Sequence, residues 1–227
     1  MVRRTSRIPE WSTGLNRQPE RVRTIIRTLR DHYPDARLVL RFDNPFQLLV
    51  ATILAAQTTD ERVNQVTPSL FTRYPDARAL AAADPQELMD QIKPTGYYRQ
   101  KARFLLECAR ALVERFQGNV PDRLDDLVTL PGVGKKTAIL ILNHAFGRPS
   151  GIVVDTHMHR VAQRLDWSHQ RDRDRMEEEL REVIPQSDWI DIHPLIAFHG
   201  RRHCKAPRPT CAGCPIDAFC YFPDKRY

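Results

Sequence analysis

No stretch of this 227-residue chain approaches the roughly 20 apolar residues needed to span a bilayer. The N-terminal arginines are not followed by an apolar run either, so the start of the chain does not read as a secretory signal. Both absences point to a cytoplasmic protein with no membrane partner. Period-2 alternation is missing at any useful length, which argues against half-buried strands. No internal repeat of fixed period is visible. Cysteine is almost absent from the first 203 residues, where Cys108 stands alone.

What is present begins with bulk. A hydrophobic content of 41% is enough for a real core, as one large or two small domains. Seventeen prolines against nine glycines suggest many connections between short elements. The net charge of +7 is uneven. Residues 1–31 carry eight Arg and three acids (+5), and residues 199–227 carry six Lys/Arg and two acids (+4), which leaves 7 − 9 = −2 for the middle. Basic surfaces attract phosphate polymers by counterion release, although a solvated face or a floppy tail would give the same charge count.

The remaining cysteines crowd the end of the chain. Cys204, Cys211, Cys214 and Cys220 form C-x6-C-x2-C-x5-C within seventeen residues. In a reducing compartment such clusters hold metal more often than they form disulfides. Thiolates suit zinc or iron–sulfur chemistry. Four of them would fill a zinc site and leave no open catalytic position. Cys108 falls on the inner face of a predicted helix and reads as core. His203 is a surface residue beside Cys204.

Helical periodicity accounts for most of the rest. Residues 1–16 show none and are read as a disordered basic arm. Helices are predicted over 17–32, from Pro45 through Leu54, from an N-cap at Asp60, from Asp76 and from Asp84-Pro85, and over 99–116. Further helices follow over 123–130, over 135–146, from Asp155 to about Leu165, and over 172–184 and 188–199. The protein is predicted to be all-α.

Residues 123–146 form a helix, a tight turn Pro131-Gly132-Val133-Gly134, and a second helix. Glycines let a backbone adopt positive φ and approach a ligand closely. The turn feeds a helix N-terminus, whose unpaired N–H groups and dipole favour an anion such as a DNA phosphate. That contact carries no base information, and the same unit also serves as a purely structural corner. Lys135 suits a phosphate clamp. Lys136 lies near the positive end of the dipole beside Lys135. Both effects disfavour its charged form, and a neutral lysine amine is a nucleophile that forms Schiff bases. Asp155 is the nearest candidate carboxylate in sequence, although capping alone would justify an Asp there.

Taken together, Ala56-Gln57-Thr58-Thr59-Asp60, Leu130 through Ala138, Val154-Asp155-Thr156-His157, His199-Gly200-Arg201 and the four cysteines resemble the endonuclease III family of DNA glycosylases, within the helix-hairpin-helix superfamily. The resemblance spans roughly residues 20–222. It implies two helical domains with a DNA cleft between them: a helical barrel at 39–152 carrying the helix-hairpin-helix, and an iron–sulfur domain formed by 17–38 and 153–227. It implies a [4Fe–4S] cluster on the four cysteines, Lys136 as nucleophile and Asp155 as its catalytic carboxylate.

Gln57 matches the position that fills the gap left by a flipped base. Tyr97 occupies a wedge position that is usually aliphatic. Gly132, Val133, Gly134, Lys135, Arg201 and Arg208 complete the expected DNA contacts. The implied activity is a bifunctional glycosylase and AP lyase acting on oxidised pyrimidines in base excision repair. Its partner is double-stranded DNA with damaged bases or abasic sites, bound by a monomer in the nucleoid. Adenine glycosylases of the same superfamily lack the lysine, carry an acid before the Gln segment and append a further domain. Here Lys136 is present, residues 50–54 hold no acid, and seven residues follow Cys220. A non-catalytic DNA-binding protein with a structural metal is the alternative from another class.

Overall fold

The computed structural model describes residues 9–227. Among them there is no strand, and the chain is built from α-helices joined by short 3-10 turns. In order these are α1 (Pro19–His32), α2 (Pro45–Leu54), α3 (Asp60–Arg73), α4 (Ala77–Ala81), α5 (Pro85–Ile92), α6 (Tyr98–Phe116), α7 (Leu124–Leu127), α8 (Lys135–Phe146), α9 (Thr156–Arg164), α10 (Arg173–Val183) and α11 (Trp189–Arg202). The chain divides into two compact units, residues 1–37 with 149–227 and residues 38–148.

Local chemistry starts most of these helices. Asp76, Asp84, Asp155 and Asp172 each cap a first turn by accepting a backbone N–H, and Pro45 and Pro85 occupy the first helical position after Asn44 and Asp84. One expected cap moves by a residue. Thr59, not Asp60, is the N-cap of α3, because its hydroxyl accepts from the Arg62 amide while Asp60 opens the helix. The first arm of the hairpin is shorter than expected, at Leu124–Leu127.

The 1–37/149–227 unit packs α1 against α9, α10 and α11. Val22, Ile25, Ile26 and Leu29 meet Met158, Val161, Met176, Leu180, Ile192 and Ile196 around the fully buried Trp167. Ile152 and Val154 join this core, so the extended link belongs to this unit. At about 25 cal/mol per Å2, burial of this apolar surface is the main driving force for folding. Residues 1–8 of the expected arm lie outside the described residues. The part from 9 to 16 is tied down. The buried Asp166 accepts from the Ser12 hydroxyl at 2.5 Å and from the Thr13 and Gly14 amides at 2.9 and 2.8 Å. Asn16, fully buried, donates to the Leu165 and Phe219 carbonyls.

The 38–148 unit has its own core of Leu48, Leu49, Leu54, Val63, Leu70, Leu80, Leu88, Ile92, Leu105, Leu112, Ile139 and Ile141. Cys108 is buried in it, and burial pushes its thiol up to about 12. That is the behaviour of a core residue with no reactive thiolate.

Candidate functional site

The hairpin turn in the 38–148 unit is shaped by Gly132. Its φ is +80°, and a Cβ there would stand 3.1 Å from Phe104 Cβ. Both the conformation and the space require glycine. Gly134 differs, with φ −93° and open space around it. It serves as the N-cap of α8 and offers no side chain to the first-turn amides. Such an N-terminus is suited to an anion. Lys135 and Lys136 are the first two residues of α8, half-buried and exposed respectively. Val133 is only 6% exposed and its amide donates to the Leu130 carbonyl, so it can shape the turn but presents no side chain to a ligand.

Two further expected DNA contacts are exposed in this unit with left-handed backbones. Gln57 has φ 54°, and Tyr97, 66% exposed, has φ 46°. Beneath them lies a residue that sequence reasoning missed. Lys101 is 3% exposed and its ammonium donates to the Leu54 and Thr95 carbonyls and to the Thr58 hydroxyl. Nothing in helical periodicity marks a buried lysine.

In the other unit Asp155 caps α9. Its Oδ1 accepts from the Met158 amide at 2.7 Å, and its Oδ2 faces His193 Nε2 at 3.6 Å. Burial alone would raise this carboxyl. Hydrogen bonding and charge from His193, the Met158 amide and the charge of His157 outweigh it and hold Asp155 well below the usual carboxylate range. Capping and an ionised second oxygen therefore coexist. His193 lies beyond any local motif, 38 residues downstream of Asp155, and no spacing in the chain marks it.

The four cysteines line one pocket, together with Val161, Arg164, Leu165, His199, Ile216 and Phe222. Among the described residues no three of His, Cys, Asp and Glu are grouped so as to hold a single metal ion. Two of the four sulfurs accept hydrogen bonds suited to thiolates. Arg164 Nη1 donates to Cys204 Sγ at 3.3 Å, and the Arg226 amide donates to Cys211 Sγ at 3.3 Å. Burial pushes the Cys214 thiol up to about 11 and raises that of Cys220, so ionising both calls for compensating positive charge in the pocket. His199 is pushed down to about 3 by burial and by the charges of His203, His32 and Arg160, so it stays neutral beside Cys214.

Arg160 and Arg164, one turn apart on α9, reach into this loop through the Cys204, Lys205 and Pro207 carbonyls. Their i,i+4 spacing puts both on one face of α9. Arg201 and Arg208 are exposed on either side of Cys204.

A helix-hairpin-helix, a lysine in the first turn of its second helix, a capping aspartate and a cysteine-lined loop define the helix-hairpin-helix class of DNA glycosylases. Residues 50–186 match the model of the HhH-GPD superfamily of base excision DNA repair proteins. Endonuclease III of Synechocystis sp. is 48% identical over 88% of this chain and 92% of its own length. That of Bacillus subtilis is 42% identical over 86% and 90%. A non-covalent endonuclease III–DNA complex superposes with a TM-score of 0.84 at 38% identity, covering 89% of this chain and 95% of that one. A trapped endonuclease III–DNA covalent intermediate gives 0.83 at the same identity and coverage. A thermostable thymine-DNA glycosylase, at 23% identity and a TM-score of 0.81, shares the fold. The chain belongs to the endonuclease III family.

Proposed function

We propose that this protein is a bifunctional DNA glycosylase and AP lyase that removes oxidised pyrimidines from double-stranded DNA in base excision repair. The observation that carries the reading is Lys136. It is an exposed amine at the second position of a helix whose N-terminus has no side-chain cap, directly after the Gly132 turn. Family membership and the covalent DNA intermediate of a relative support it.

The anion site at the α8 N-terminus takes a DNA phosphate and registers the backbone, with Gly132, Gly134 and Lys135 around it. A damaged base unstacks more cheaply than a normal one and is rotated out of the duplex. Gln57 and Tyr97 fill the space it leaves. Lys136 Nζ attacks C1′ of the deoxyribose, and the glycosidic bond breaks with its electron pair leaving on the base. Asp155, kept ionised, accepts the proton released by the lysine and stabilises positive charge on the sugar. Loss of the ring C–O bond gives an imine between Lys136 and C1′. The imine acidifies the C2′ hydrogen, and removal of that proton expels the 3′ phosphate. Hydrolysis then returns the lysine.

Cys204, Cys211, Cys214 and Cys220 would hold a [4Fe–4S] cluster in the unit formed by 1–37 and 149–227. Bound there, the cluster supplies a cross-link that shapes the 204–220 loop. The loop then presents Arg208 to phosphates, beside Arg201 in the last turn of α11. The neighbouring adenine glycosylase reading is disfavoured by the presence of Lys136.

Borohydride reduction should trap the protein covalently on a duplex carrying an oxidised pyrimidine. Equal trapping by Lys136→Ala would refute the assignment. A panel of thymine glycol, dihydrouracil, 8-oxoguanine and abasic duplexes would read the lesion preference.

A further inference from the structure

Lys101 stands in the first turn of α6 with its ammonium inside the protein. Three donors meet three acceptors: the Leu54 carbonyl at 2.8 Å, the Thr58 hydroxyl at 2.7 Å and the Thr95 carbonyl at 2.7 Å. The Thr58 hydroxyl in turn donates to the Thr95 carbonyl. These acceptors belong to three separate stretches. Leu54 ends α2, Thr58 lies in the loop before α3, and Thr95 lies in the turn before α6.

Each stretch abuts a strained residue. Gln57 is flanked by Leu54 and Thr58, and Tyr97 follows Thr95 and Gly96. Both are exposed, with φ of 54° and 46°, in a region that L-residues occupy only where surrounding structure enforces it. Burying an ammonium is costly unless every donor is matched, and a lysine of this length could otherwise reach water. The desolvation works against the charge, in keeping with a lowered proton affinity. What the arrangement achieves is a fixed geometry between the two loop tips.

We propose that Lys101 is a positioning residue that locks Gln57 and Tyr97 into one preset pair, so that both enter the duplex together when a lesion is found. The proposal rests on the reading that Gln57 and Tyr97 are the inserting residues. Its consequence is selectivity for lesions rather than affinity for DNA, because the phosphate contacts lie elsewhere.

The test uses the full chain and two duplexes, one undamaged and one carrying a stable abasic analogue beside 2-aminopurine. Dissociation constants give the discrimination ratio, and 2-aminopurine fluorescence reports unstacking by insertion. Lys101→Met keeps the aliphatic stem and removes the donors. In the folded variant the discrimination ratio should fall about tenfold, equivalent to ~1.4 kcal/mol, and the fluorescence rise on binding should disappear. Affinity for undamaged DNA and its salt dependence should not change. A merely structural role would lower the melting temperature and leave ratio and fluorescence intact, which would overturn the proposal.

Should Lys101→Met fail to fold, Thr58→Val removes one acceptor and the Thr58–Thr95 bond at little change in volume. A several-fold loss of discrimination is then expected, and an unchanged ratio overturns the proposal. Gln57→Ala and Tyr97→Ala separate the two layers of the argument. If they lose the fluorescence signal and Lys101→Met keeps it, the proposal alone fails. If they keep it, the insertion reading fails and the proposal with it.

Discussion

Gly200 on α11 approaches His157 on α9 so closely that a Cβ on the glycine would stand 2.8 Å from the imidazole Nδ1. It would also lie 3.0 Å from Arg160 Nη2. Neither neighbour can step aside freely, because Arg160 donates to the Gly200 and Cys204 carbonyls and to His157. The glycine therefore sets the spacing between α11 and the helix that Asp155 caps.

Gly200→Ala should destabilise the fold by about 1–3 kcal/mol through overpacking. A thermal melt against wild type measures it. Turnover should fall as well, since α9 must shift and carries the Asp155 carboxylate with it. A melting temperature equal to wild type would show that the helices separate without strain.

Asp155→Asn retains a side-chain oxygen for the Met158 amide, and Asn caps helices about as well as Asp. Single-turnover base release should fall about 10²-fold or more, the usual scale of a positioned acid–base group, while DNA affinity stays near normal. Unchanged turnover would leave Asp155 only its capping role.

The depressed carboxyl of Asp155 also predicts a pH dependence. A group whose folded pKa lies below its unfolded value of 3.8 stabilises the fold fully above that value, and loses the contribution as pH falls through the folded one. The stability gap between wild type and Asp155→Asn should therefore be constant from about pH 7 to pH 5 and narrow below about pH 4. Urea denaturation at a series of pH values measures it. A gap that closes between pH 7 and 5 would point to the imidazoles instead.

Anaerobically purified protein should be coloured and contain iron and acid-labile sulfide in equal amounts. Substituting Cys211 by Ser should loosen the 204–220 loop and weaken DNA binding, yet leave single-turnover chemistry at saturating protein nearly intact. A colourless protein with one zinc would replace the cluster with a different cross-link.

Arg208→Ala should weaken binding to all DNA sequences alike and reduce the slope of log K against log salt by about 1. Filter binding across a salt series measures it. An effect confined to damaged duplexes would assign Arg208 to lesion reading.

Much of this was legible in the chain because the signals are local. Helix periodicity, the caps at Asp76, Asp84 and Asp155 and the Gly132 turn all act over four residues or fewer. The cysteine spacing is equally short. Even the local reading erred where two adjacent residues could cap: Thr59 prevails over Asp60. Val133 sits inside a motif rich in ligand signals, yet its side chain is core.

The sequence by itself determined an all-helical chain, the glycine turn before Lys136, the cap at Asp155 and the four thiols. Tertiary structure alone decided that Lys101 is buried under Gln57 and Tyr97, that His193 faces Asp155, that Arg164 turns toward Cys204 and that Asp166 captures residues 12–14. The division has a physical cause. Backbone propensity and capping are settled within one helical turn. A buried charge is tolerable only where partners arrive from distant segments, and those partners exist only once the chain has folded.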